Sequence, residues 1–284
     1  MTGEPDTPRP RRGRRLLRRI ATSLVAALLV YAGAWWAGWI KLATARGIII
    51  SLAPAVHEPE LRHDDGKRRV AVLLHGMAGS SWSMWRLERT LAAHGYEVVN
   101  ETYDEYDRRL ADVADGLHER IEARLGEDSD VALYGVAHSM GGLVLRAYLS
   151  RPDARAFDAV VCLGTPHRGA ILADLLGSTW YYRLLFGDKA AIELAPSSGV
   201  ADSLAVPGNV GNVIGARGDD GGYSSSIPGD DDGRVAVHEA HLDGERDSLV
   251  VSMHHGFLMV DADVLRQVLH FFRHGRFDHA EPGR

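Results

Sequence analysis

The stretch Tyr134-Gly135-Val136-Ala137-His138-Ser139-Met140-Gly141-Gly142 decides the fold. It opens as a short apolar run, closes into helical spacing, and carries a serine at the join. Its centre is small-x-Ser-x-Gly. That spacing suits a sharp strand-to-helix turn, because the small residues Ala137 and Gly141, two before and two after the serine, let the backbone close without clashes. Such a turn holds a hydroxyl above the end of a sheet. The helix that follows aims N–H groups and its positive end at developing negative charge. Ser139 is therefore the candidate nucleophile. A serine capping a structural turn would give the same short pattern, so its weight comes from what lies on either side.

Working outward, 70–74 reads as a buried strand and 81–94 as a helix with Trp82, Trp85 and Leu91 among its apolar positions. A second strand is predicted over 96–99. Residues 110–125 are helical, with Leu110, Val113, Leu117, Ile121 and Leu125 at spacings of three and four. Then come a strand over 131–136, a helix over 140–149 and a strand over 159–163. Strands over 212–215 and 248–252 and a helix over 261–273 close the pattern. Alternation of this kind predicts an α/β class, with a mostly parallel sheet flanked by helices on both faces. Reactive groups then collect at the carboxyl ends of the strands.

Acyl transfer needs two donors where a carbonyl oxygen becomes an anion. The N–H of Met140, just after the serine, is one candidate. The N–H of Met77, in His75-Gly76-Met77-Ala78-Gly79 after the first strand, is the other. No Gly-Lys-Ser/Thr follows, which argues against a phosphate loop. A serine of this kind needs a histidine base oriented by a carboxylate, in the chain order Ser, acid, His. Met253-His254-His255-Gly256 follows the last strand. His255 is preferred over His254 because the glycine directly after it frees the loop. In Gly229-Asp230-Asp231-Asp232-Gly233, Asp232 is preferred and Asp231 is the alternative. The aspartate run lacks the alternating ligand spacing of a calcium loop. His238-Glu239-Ala240-His241 is one residue short of a zinc-protease motif. Neither a metal nor a cofactor is expected.

Five segments together carry a resemblance: 74–77 (Leu-His-Gly-Met), 137–142 (Ala-His-Ser-Met-Gly-Gly), 163–169 (Leu-Gly-Thr-Pro-His-Arg-Gly), 232–235 (Asp-Gly-Arg-Val) and 255–259 (His-Gly-Phe-Leu-Met). Over about 69–276 the chain resembles the α/β-hydrolase superfamily. The likeness is to bacterial lipase/esterase-like hydrolases related to the GPI inositol-deacylase-like group. The resemblance implies the α/β-hydrolase fold, Ser139 as nucleophile, Asp232 as acid, His255 as base, and the Met77 and Met140 amides as the oxyanion hole. It implies cleavage of carboxylic esters through an acyl-enzyme. An acyltransferase using the same triad and a non-catalytic binding protein on this fold are the alternatives. Residues 167–207 form the expected cap or lid, with the apolar cluster Trp180, Tyr181, Tyr182, Leu184, Leu185 and Phe186. That cluster suits an ester or lipid-like substrate, or an amphipathic helix packed on the domain.

The chain has 284 residues, 45% of them apolar and 25% charged, enough for a sizeable core. Cys162 is the only cysteine, which excludes a disulfide scaffold. Net charge is −6, unevenly spread: nine basic and two acidic side chains give +7 over 1–46, and 23 and 36 give −13 beyond it. An acidic globular part argues against nucleic-acid binding. Residues 1–19 are expected to form a basic, disordered N-terminus. Residues 20–40 carry no charge. As a helix they would be ~32 Å long, enough to cross a bilayer core. Trp35, Trp36 and Trp39 sit near the far end. The preceding arginines predict a cytoplasmic N-terminus, so the expected localisation is the cell membrane, single-pass, with the hydrolase domain on the extracytoplasmic side. A signal peptide cleaved at Ala43-Thr44-Ala45 is the rival to this signal-anchor. Residues 41–68 are read as a linker and 277–284 as a C-terminal tail.

Overall fold

The computed structural model describes residues 53–280, except 64 and 129. The expected basic N-terminus (1–19) and membrane span (20–40) lie outside the described residues. So do most of the linker's first half and the last four residues of the tail. Among the described residues no helix is long and apolar enough to cross a membrane.

Six strands form one parallel sheet among the described residues: β1 (Arg69–Leu74), β2 (Glu97–Asn100), β3 (Ala132–His138), β4 (Ala159–Leu163), β5 (Val210–Ala216) and β6 (Asp247–Ser252). Their order is β2-β1-β3-β4-β5-β6. The main helices are α1 (Trp85–Ala93), α2 (Leu110–Leu125) and α3 (Met140–Leu149). Between β4 and β5 lie the short helices α4 (Ile171–Leu176), α5 (Trp180–Phe186), α6 (Lys189–Glu193) and α7 (Val200–Ser203). A one-turn helix, α8 (Val237–Ala240), follows β5, and α9 (Ala262–His274) follows β6. The elements predicted within the described residues are all present, most with their ends moved by one or two residues. One differs in kind: Ser81–Met84 is a 3₁₀ turn leading into α1, not α-helix. The tighter turn rotates Trp82 out of the apolar stripe, and it is 68% exposed, while Met84, Leu87 and Leu91 are buried.

Alternation along each strand explains why both faces are covered. Val70, Val72 and Leu74 pack with Leu133 and Ala137 against Leu110, Val113, Leu117 and Ile121 of α2 and Leu143 and Val144 of α3. Ala71 and Leu73 face the other way, with Val136, Val161, Leu87 and Leu91 of α1 and Val264, Val268 and Phe271 of α9. A period of two in the strands meets the apolar stripes of two helix layers. Residues near the amino end of this unit join the second layer. Leu61 is buried in it, and the N–H of Val56 donates to Thr90 Oγ1 at 3.2 Å. At the other end Phe277 is buried in the same layer, and the Phe277 N–H donates to Asp247 at 2.7 Å.

The strand order places the site. The chain runs from β1 out to β2, then crosses back to lay β3 on the other side of β1. Parallel sheets open a crevice at such a reversal, outside the carboxyl ends of the strands. The loops after β1 and β3, which hold Met77 and Ser139, flank that crevice.

The segment between β4 and β5 is fastened at its base by one buried cation. Arg146 of α3 is 3% exposed and donates to the carbonyls of His167, Ala201, Leu204 and Ala205, all at 2.9 Å. Burial holds its pKa below the ordinary arginine value. Four carbonyl dipoles stand in for the water the guanidinium has lost. Arg146→Met should strip those acceptors of their donor and cost about 3–5 kcal/mol of stability. Equilibrium urea unfolding of the two proteins measures the difference; a change below about 1 kcal/mol contradicts this role.

Candidate active site

Ser139 joins β3 to α3 with φ 55° and ψ −126°, a backbone conformation rarely seen outside glycine. Holding it there costs on the order of 1–3 kcal/mol. The turn is enforced from several sides. The Ser139 N–H donates to the Leu163 carbonyl of β4 at 2.9 Å, and its own carbonyl accepts from Gly142 N–H at 3.0 Å. Gly141 lies so close to the end of β1 that a Cβ on it would come within 2.7 Å of the carbonyl oxygens of both Leu74 and His75. No larger residue fits two places after the serine.

The first loop lies against the second. A Cβ on Gly76 would stand 2.9 Å from the Ser139 Cβ, which puts the Gly76–Met77 peptide beside the serine. That peptide is held by its carbonyl, which accepts from Gly79 N–H at 3.0 Å and from His75 Nδ1 at 2.9 Å. In a trans peptide the N–H points opposite to the C=O, so these two bonds fix the direction of the Met77 N–H. The His75 tautomer is set in turn. The Tyr103 N–H donates to Nε2 at 3.3 Å, which leaves the proton on Nδ1. The Tyr103 ring stacks on the imidazole at 4.0 Å, and its hydroxyl donates to the His75 carbonyl. Burial lowers the His75 pKa and keeps the ring neutral. Glu105 accepts from the Ala78 N–H at 2.8 Å, where Ala78 also has positive φ. Sequence spacing gave no hint of Tyr103 or Glu105, which lie 28 and 27 residues beyond their partners.

The acid and base loops leave β5 and β6 and meet each other. His255 Nδ1 lies 2.6 Å from Asp232 Oδ2, with both residues buried. An ionised carboxylate only accepts, so the proton sits on Nδ1 and Nε2 keeps its lone pair. Asp232 Oδ1 accepts from the N–H groups of Arg234 and Val235 at 2.9 and 2.8 Å. The His255 N–H donates to the Asp232 carbonyl at 2.8 Å, a second tie between the loops. Asp231, the alternative acid, is also buried but turns elsewhere. It accepts from Ser224 and Gly233 N–H groups at 3.1 and 2.6 Å. Asp230 accepts from Arg217 and Gly218 N–H groups. Both brace the loop. His254 faces Tyr223 edge-on at 5.5 Å and is not the residue on Asp232. Gly164, at the end of β4 with φ 57°, lies behind the pair: a Cβ there would come 3.0 Å from Asp232 Oδ2 and 3.1 Å from His255 Nδ1.

The elbow and the base loop adjoin through His138. Its Nε2 lies 3.2 Å from the His255 carbonyl, and the two rings are 4.7 Å apart. Cys162, the only thiol, is buried with its pKa pushed up to about 12, so it stays protonated and is no rival nucleophile. No group of three or more metal-ligating side chains occurs among the described residues.

Comparison with known proteins follows the same lines. No family model matches the chain. Over 151 residues it is 26% identical to the lysosomal thioesterase PPT2 of Mus musculus and equally to that of Rattus norvegicus. The match takes in 49% of this chain and spans 43% of the length of those curated relatives. Among solved structures, the mature lipase BlEst2 of Bacillus licheniformis superposes with a TM-score of 0.54 at 23% identity, covering 77% of this chain and 94% of that one. The metagenomic carboxyl esterase MGS0156 gives 0.53 at 17%, covering 74% and 75%. With the parallel sheet, its two helix layers and the strained strand-to-helix serine, these likenesses define the chain as having the α/β-hydrolase fold.

Asp232 and Asp231 separate by experiment. With Asp232 as the acid that orients His255, Asp232→Asn should lower kcat on an ester substrate by about 10⁴-fold, because an amide would no longer favour the required His255 tautomer or an imidazolium. Asp231→Asn should weaken the loop and lower the unfolding midpoint, with kcat per folded molecule within a few-fold of wild type. Equal losses of kcat for the two variants would contradict the assignment.

Proposed function

We propose that this protein is a serine hydrolase cleaving carboxylic esters, with Ser139, Asp232 and His255 as its triad. The observation that carries the reading is the buried 2.6 Å Asp232–His255 contact on the same rim of the sheet as the strained Ser139 turn. His255 Nε2 takes the proton as Ser139 Oγ attacks the ester carbonyl. Asp232 stabilises the imidazolium that forms. Negative charge on the carbonyl oxygen is met by the N–H groups of Met77 and Met140 and by the positive end of α3. Collapse of the tetrahedral species returns the proton from His255 to the departing alcohol and leaves an acyl-Ser139. Water, deprotonated by His255, then releases the acid and restores the serine. No step calls for a cofactor.

A lipid-like ester is the substrate class we assign. Trp180 and Leu184, one turn apart on α5, are 71% and 64% exposed. Such exposed apolar area on the segment between β4 and β5, which we read as the cap, supports an apolar acyl chain or a lipid surface over a small polar ester. We further propose that residues 20–40 anchor the chain as a single span, with the hydrolase domain outside the cytoplasmic face. The uncharged run and its arginine flank support this. A second reading keeps the same machinery with a thiolate as leaving group. The 26% identity to a thioesterase favours it.

Ser139→Ala should lower turnover of p-nitrophenyl esters by at least about 10⁴-fold, and a fluorophosphonate probe should no longer label the protein. Wild-type rates in that variant would refute the mechanism. Across p-nitrophenyl esters of graded length, kcat/KM should rise from acetate to medium and long chains. A steady fall instead would exclude a lipidic substrate, and faster cleavage of acyl thioesters than of matched oxygen esters would favour the second reading. The full chain should stay with membranes after alkaline extraction, and its domain should be digested by protease added from outside. Release into the soluble fraction would overturn the anchor.

A further inference from the structure

His138 stands at the centre of the elbow, yet the mechanism gives it no task. The residue is 6% exposed, and its side chain lies between two segments that are distant in sequence. Nε2 lies 3.2 Å from the backbone carbonyl of His255. A carbonyl only accepts, so Nε2 carries the proton and donates. The ring is tilted 49° to the His255 ring at 4.7 Å. Its other edge faces the first loop, where a Cβ on Gly76 would come 3.0 Å from Nδ1. The backbone of His138 is paired in the sheet with Leu163, and Ser139 is its covalent neighbour. One imidazole, on the residue next to the proposed nucleophile, thus stands between the loop of the proposed oxyanion donor Met77 and the base.

We infer that His138 is a positioning residue, whose Nε2–H···O=C bond to His255 sets the place of the base over the Ser139 hydroxyl. The inference rests on the proposed roles of Ser139 and His255. Asp232 fixes the His255 ring from its Nδ1 side and through the His255 N–H. The His255 carbonyl is the remaining backbone handle, and His138 holds it from the nucleophile's side. Without that bond the base loop keeps its tie to Asp232 but loses its tie to β3. Ser139 and Nε2 then vary in separation, and a displacement of 1 Å is enough to cost ~10²-fold in rate. Burial and the neighbouring His255 hold the His138 pKa well below the ordinary histidine value. The ring therefore donates its hydrogen bond while neutral and sets no second cation against the imidazolium that His255 becomes.

The test uses the full-length protein in detergent with p-nitrophenyl butyrate. His138→Phe keeps a ring and removes the donor. His138→Met is the companion where the phenyl ring does not fit. His138→Gln restores an N–H donor near the position of Nε2. Phe or Met, whichever keeps the wild-type urea midpoint, should lower kcat by about 10²-fold with KM within about twofold, since substrate contacts are untouched. Labelling of Ser139 by the fluorophosphonate should slow in step. Gln should recover at least a tenth of the wild-type kcat. A ring filling space would show instead as lost stability with kcat per folded molecule unchanged, and that result overturns the inference. So does a Gln variant as slow as Phe or Met. Ser139→Ala, run alongside, separates the two levels. If it is inactive while the donor-less variants are at full rate, only the role of His138 fails. If it is active, the catalytic reading beneath it fails.

Discussion

Helix α3 comes so close to the end of β1 that position 141 has no room for a side chain. Most of the site follows from that approach. The chain must turn within one residue at Ser139, and it does so at positive φ. The strain, on the order of 1–3 kcal/mol, is offset by the helix it admits. Leu143, Val144, Leu145 and Tyr148 of α3 are all buried between the sheet, α2 and the segments above. Full burial of each such side chain contributes roughly 1.5–3 kcal/mol, so the packing outweighs the turn. The same approach seats the start of α3 beside the loop after β1. The segments that carry Met77 and Met140 thus meet beside the serine, one from the loop after β1 and one from the start of α3.

The polar groups around the site follow one rule, that a buried donor or acceptor must be met. The three consecutive aspartates show it well. Asp230 and Asp231 accept from backbone N–H groups of the β5 loop and stop there. Asp232 satisfies one oxygen in the same way and has the other left for His255. Its loop is thus rigid before the histidine is added, and the carboxylate is aimed by backbone geometry. His75 follows the same logic in the first loop. A backbone N–H on one ring nitrogen decides that the other donates to Gly76, and that bond aims the Met77 amide.

A good deal was legible in the residues themselves. The spacing of Leu110, Val113, Leu117 and Ile121 marks α2, because a single apolar stripe repeats for four turns. The residue pattern around Ser139 marks the elbow, since only a tight turn calls for small residues at 137 and 141. The 3₁₀ turn over Ser81–Met84 was not legible, because three- and four-residue spacings look alike over one turn. Neither were Tyr103 and Glu105, whose partners are reached across the sheet rather than along the chain.

The sequence by itself determined the alternation of strands and helices, the serine at a strand-to-helix join and the short stretches within which an acid and a base had to lie. These are properties of neighbouring residues, written in periodicity and in the sizes of side chains a few positions apart. Tertiary structure alone decided which aspartate and which histidine meet, which tautomer each ring holds, and that His138 stands between the loops after β1 and β6. Adjacent residues in a loop differ only in the direction their side chains take, and that direction is set by hydrogen bonds to segments far away in the chain.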